Sequence, residues 1–301
     1  MRNISIAVTF LVLSTCAAAE GRDGFFGELF EPWPDLHGSP CGTPYTHALN
    51  VEPAYLDRDL LIDYRVGNGI DGEADEQELE FELEWALSKR LGLIIGCPVI
   101  STDPFDGPTE TGVGDLALGT RMLLVNWNRL LLSAILEVET PTGDAARGLG
   151  NGETAIAPTA AWWLDLGGWL VFQGQFGPEI KLESGETELL YRFALTKSWQ
   201  GPVYFHCGSC RRRSHHGRAD RADDHHHGAP THHGPGLITL YLEPLGTSNL
   251  TDADEGTRFD MTTGIGYALT DKLELRTAVR FPLYRPSSLD SQFIFSLLRH
   301  F

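Results

Sequence analysis

The stretch FHCGSCRRRSHHGRADRADDHHHGAPTHHGPG carries eight of the eleven histidines of this 301-residue chain and a Cys-x-x-Cys pair. Cys207 and Cys210 have the spacing of half a zinc site. His206, His215, His216, His225, His226, His227, His232 and His233 can add imidazoles. Thiolate with imidazole suits zinc or copper(I), and imidazole with oxygen suits nickel or copper(II). No second Cys-x-x-Cys or spaced histidine pair completes a fixed site. A polar tract that binds several divalent ions weakly, or one whose two cysteines form a local disulfide, therefore fits the same residues. Arg211, Arg212 and Arg213 would repel a cation there, and Asp220, Asp223 and Asp224 offset them.

A second chemical pattern is ELEFELEW, where Glu78, Glu80, Glu82 and Glu84 alternate with Leu79, Phe81, Leu83 and Trp85. Paired carboxylates can perform glycoside hydrolysis. Regular spacing along one strand is instead what a wet face opposite an apolar face produces. There is no Gly-x-Ser-x-Gly elbow, His-Glu-x-x-His or P-loop, so no enzyme is expected.

The elements that hold these residues are strands. Period-2 alternation recurs through the chain and predicts twelve, near 54–66, 77–88, 90–101, 112–125, 129–141, 153–166, 168–180, 186–198, 236–244, 258–270, 272–283 and 290–301. Tight connections alternate with longer polar ones, the pattern of an outer-membrane barrel with short turns in the periplasm. The fold expected is all-β, a transmembrane antiparallel up-and-down barrel over 54–301. Strands of ten to thirteen residues favour it over a soluble secreted β-sandwich with an interaction role, where five or six is usual. Residues 1–19 read as a signal peptide with an Ala-x-Ala cleavage site. Residues 20–53 read as a periplasmic N-terminal segment, and the His/Cys-rich insertion at about 199–236 falls on the periplasmic side.

In a bilayer every backbone polar group must be paired, so a closed barrel shows one face to lipid and one to its lumen. Parity assigns Glu78, Glu80, Glu82, Glu84, Asp115, Arg121, Glu137, Glu139, Arg192, Asp260, Glu274, Arg276 and Arg280 to the lumen. Nine acids against four bases favour cations in any open path; the same groups paired into a network would plug it. The net charge of −18 argues against nucleic acid as a partner. Outer-membrane lipid and a small solute are the partners expected.

The chain closes SQFIFSLLRHF, with Phe293, Phe295, Leu297 and Phe301 on one face. This resembles the C-terminal strand by which the barrel-assembly machinery recognises outer-membrane proteins, with Arg299 at a position that is normally apolar. Three further stretches, GVGDLALGTRMLL (112–124), EVETPTGDAARGLGNGETAIAP (137–158) and GIGYALTDKLELRTAVRFPL (264–283), resemble the family of outer-membrane transporters named after the meta-cleavage pathway of phenol degradation. That resemblance implies a monomeric barrel passing small organic molecules, hydrophobic or aromatic compounds among them, and brings no catalytic motif. The alternative role is capture of zinc, copper or nickel by the insertion; no cofactor is otherwise required.

Overall fold

The computed structural model describes residues 22–70, 74–201, 234–251, 256–284 and 290–301. The expected signal peptide and the ten candidate metal ligands from His206 to His233 lie outside them.

A short helix α1 (Arg22–Glu28) precedes thirteen strands: β1 (Arg58–Ile70), β2 (Ala74–Ala86), β3 (Leu91–Pro104), β4 (Glu110–Val113), β5 (Leu116–Asn126), β6 (Leu130–Thr140), β7 (Ala155–Gly167), β8 (Leu170–Lys181), β9 (Thr187–Gln200), β10 (Leu237–Asn249), β11 (Thr257–Ala268), β12 (Leu273–Tyr284) and β13 (Ser291–His300). Twelve of these pair antiparallel into a ring. It closes between β1 and β13, with Asp59 opposite His300 and Asn68 opposite Ser291. Closure leaves no unpaired edge, which is what makes a sheet compatible with a bilayer. Both ends of the barrel chain and the turns at 87–90, 127–129, 168–169 and 269–272 share one rim. The flanks of the insertion, Gln200 and Leu237, pair with each other at that same rim.

Burial alternates as the residue types do, but inverted relative to a soluble protein. On β13, Phe293 and Phe295 are exposed on the outer surface while Ile294, Ser296 and Leu298 are buried inside. On β12, Leu275 and Phe281 face outward, whereas Glu274 and Arg276 are buried. The apolar side chains therefore form the outer belt. Among the described residues no helix is long and apolar enough to cross a membrane.

One expected strand, 112–125, is divided. It breaks at Gly114-Asp115 into β4 and β5, both on β3. The physical reason is Asp115, whose carboxylate turns away to accept the backbone N–H of Gly143 at 2.8 Å and of Asn151 at 2.6 Å. Thr142 completes the knot, donating to Gly114 O at 3.1 Å and accepting from Leu116 N at 2.9 Å. A side chain at Gly150 would put a Cβ 2.6 Å from the Asp115 carboxylate, so the 142–152 loop needs glycine there.

Candidate functional site: a plugged acidic lumen

Residues 35–57 have no regular secondary structure, and from Thr43 onward they are buried in the barrel interior. The chain leaves α1 at the short-turn rim, enters the lumen, reverses near Asn50 and Glu52, and returns to begin β1. The sequence reading set 20–53 in the periplasm; its later part lies within the short-turn half of the lumen.

Irregular backbone survives inside a barrel only if its polar groups find partners, and the inward side chains supply them. Glu243 on β10 accepts from Leu49 N at 2.8 Å, Asn50 N at 2.9 Å and Asn50 Nδ2 at 2.9 Å. Arg276 on β12 donates to His47 O at 3.2 Å and Ala48 O at 3.3 Å. Gln173 on β8 donates to Thr46 O, Ser133 on β6 to Ala54 O, and Arg121 on β5 to Tyr55 O. Thr43 Oγ1 donates to Asp165 Oδ2 at 2.8 Å. Six strands thus hold one segment by groups that any strand-only account leaves pointing at water.

Apolar contact adds to this. Tyr45, Ala54, Tyr55 and Leu56 pack against Leu123, Leu131, Ile135, Ala161, Trp163 and Val171 of the wall. Tyr45 stacks on Tyr55 at 4.6 Å and meets Trp163 edge-on at 5.2 Å. Both faces of β6 and β7 are apolar at this level: one meets the outside and the other meets the plug.

Beyond the plug tip lies a cavity of about 410 Å³ floored by residues 47–53. Its charged lining is Glu52, Asp63, Glu78, Glu80, Glu82, Glu84, Glu137, Glu188 and Asp260 against Arg65, Arg192, Arg258 and Arg280. Eight of the thirteen lumen residues read from parity are here. Arg65 bridges Glu80 at 2.5 Å, Asp63 at 3.1 Å and Glu78 at 3.4 Å. Arg280 pairs with Asp260 at 2.5 Å.

At the floor, Arg121 contacts Glu52 at 2.5 Å and Glu84 at 2.6 Å, and Glu52, Glu82 and Glu84 bring carboxylate oxygens within 4.8 Å of one another. Burial pushes the Glu52 carboxyl up to about 7; Arg121 opposes the shift and Glu84 and Glu137 add to it.

The remaining parity residues serve elsewhere. Arg121 and Arg276 clamp the plug, Glu274 accepts from Tyr241 at 2.8 Å, Glu139 accepts from Asn151 at 2.7 Å, and Asp115 ties the 142–152 loop. Parity on β1 would have found Asp59, Asp63 and Arg65 as well, since Asp59-Leu61-Asp63-Arg65 alternates with Leu60-Ile62-Tyr64. Glu243 carries the same signal on β10.

The twelve-strand ring aligns with the crystal structure of an outer membrane channel from Pseudomonas putida F1 at 14% identity and a TM-score of 0.54, covering 85% of this chain and all of that one. It also aligns with the KdgM porin at 9% identity, covering 80% of this chain and 99% of that one with a TM-score of 0.45. The NanC porin aligns at 11%, covering 81% and 98% with a TM-score of 0.46. The first likeness is one of fold, and the two porins superpose too loosely to add an argument. No family model matches the sequence, and no curated protein does.

Proposed function

We propose that the chain is an outer-membrane channel or transporter for small solutes, gated by its own N-terminal segment, with the short-turn rim in the periplasm. The observation that carries this reading is the pairing of a closed ring, apolar outside and charged inside, with a segment that fills the lumen chiefly by side-chain contacts. A structural barrel has no need of a charged cavity above its plug. The cavity's nine acids and four arginines favour small cationic or polar solutes, because like charges raise the barrier for anions. The three stretches resembling the meta-pathway family support organic molecules as cargo. In that case the charged lumen orients a polar end of the solute. Non-enzymatic transport is the reading adopted, supported by the fold shared with the Pseudomonas putida channel.

The deciding experiment is conductance of the refolded full chain in planar bilayers, paired with vesicle swelling in small organic cations, anions and neutral compounds. Cation-selective current and cation swelling are expected. An inserted, folded protein that passes none of them would overturn the channel.

Two further outcomes follow. Glu80→Gln with Glu137→Gln removes two cavity carboxylates and should lower the cation-to-anion permeability ratio by about twofold to fivefold; an unchanged ratio places the conduction path elsewhere. Phe295→Arg sets a charge on the outer face near the centre of β13, where such a substitution costs about 2–4 kcal/mol at the bilayer midplane. Denaturant unfolding in vesicles reads this, and a cost no greater than that of Phe295→Ala would argue that the face does not meet lipid.

A further inference from the structure

The three histidines outside the insertion, His37, His47 and His300, converge at the short-turn rim although they begin far apart in the chain. The His37 and His300 rings lie 5.3 Å apart, and those of His47 and His300 lie 6.3 Å apart. Two carboxylates stand among them, Asp57 at the end of the plug and Asp59 at the start of β1. All five side chains are buried, none more than 7% exposed.

Each carboxylate divides its oxygens between a fixed partner and an imidazole. Asp57 Oδ1 accepts from Arg58 N at 2.9 Å, leaving Oδ2 facing His37 Nδ1 at 3.6 Å. Asp59 Oδ1 bonds His300 Nδ1 at 2.8 Å, leaving Oδ2 facing His47 Nε2 at 2.6 Å. Beyond this contact neither buried atom has a hydrogen-bond partner.

Ligand atoms of His37, Asp57 and His300 fall within 4.8 Å of one another, as do those of His47, Asp57 and Asp59. Donors sharing one tetrahedral zinc, each about 2.0–2.2 Å from it, lie about 3.3 Å apart. The 3.6 Å between His37 and Asp57 is already close to that span, and small side-chain rotations contract the rest.

We propose that these residues bind one divalent transition-metal ion, zinc by its preference for imidazole and carboxylate, and that the ion pins the plug to the closing seam of the barrel. His37, His47 and Asp57 belong to the plug, Asp59 to β1 and His300 to β13. The first and last barrel strands and the gate would then share one ion. The site is distinct from the His/Cys-rich insertion and rests only on residues outside it.

Hydrogen exchange of peptides covering 37–57 tests this in the full-length protein, stripped with chelator and then given zinc alone. If opening of the segment must release the ion, zinc at a hundred times its Kd slows exchange there by about a hundredfold. The slowing should vanish in His47→Gln/His300→Gln. Because that pair touches the seam, His37→Gln, which lies outside the strands, gives a second version whose fold is checked by heat-modifiable gel migration. No slowing by zinc in the wild type overturns the proposal. So does slowing that persists in a folded variant, since it would come from ions on the insertion.

Discussion

Deletion of residues 22–53 should raise the unitary conductance of the channel by roughly an order of magnitude, because the segment fills the short-turn half of the lumen and cross-section sets passage. The prediction follows from how the plug is held. It forms no strand with the wall, and it is held mainly by side-chain hydrogen bonds and by three apolar clusters, so the ring's strand pairing survives its removal intact. The deletion takes Tyr45 off Tyr55 and Trp163, and some loss of thermal stability is expected with the gain in current. Glu243→Ala should act differently. It leaves the plug in place but strands Leu49 N and Asn50 N, so it should increase the frequency of open events rather than their size. Bilayer recordings separate the two quantities. If the deletion inserts, shows heat-modifiable migration, and conducts as the full chain does, permeation does not pass the plug and the gating role falls.

The ring was legible in the sequence and the plug was not, for one physical reason. A barrel strand repeats the same demand at every second residue, so Phe293-Phe295-Leu297 or Glu78-Glu80-Glu82 announces its faces however little else is known. The plug sequence His47-Ala-Leu-Asn-Val-Glu-Pro-Ala-Tyr55 obeys no period, since its residues answer several strands: Leu49 and Asn50 answer β10, Glu52 answers β5, Ala54 answers β6. Nothing local records those partners. A trace of the plug was nevertheless present in the wall. Leu130-Leu131-Leu132 and Ala160-Ala161-Trp162-Trp163 are apolar on both faces. A water-filled lumen would not favour that, and it signals that something covers the inside. Equally, Asp115 followed the parity of a lumen residue while its true partners, the N–H groups of Gly143 and Asn151, lay in a loop that alternation says nothing about.

Arg121→Met should be the most destabilising single substitution in the lumen, at about 3–5 kcal/mol, the cost of leaving a buried charge without its partner. Arg121 is 2% exposed and its main counter-ion Glu84 is 2% exposed, so neither can recover its loss in water without moving the wall. Methionine fills much of the volume, which confines the effect to charge and hydrogen bonds, including the one to Tyr55 O. The same reasoning predicts the rescue. Arg121→Met/Glu84→Gln removes the more buried of the two stranded carboxylates and should recover part of the loss, leaving the cost of Glu52 and about 1–2 kcal/mol for the hydrogen bonds to the plug that no longer form. Urea unfolding in detergent micelles measures both, and the coupling between the sites is the informative quantity. A single-variant cost below about 1 kcal/mol would mean that Glu84 reaches solvent or takes a proton at little cost. A double variant as weak as the single one would shift the role of Arg121 from ion pair to plug clamp: its bond to the Tyr55 carbonyl, rather than its charge, would then hold the gate.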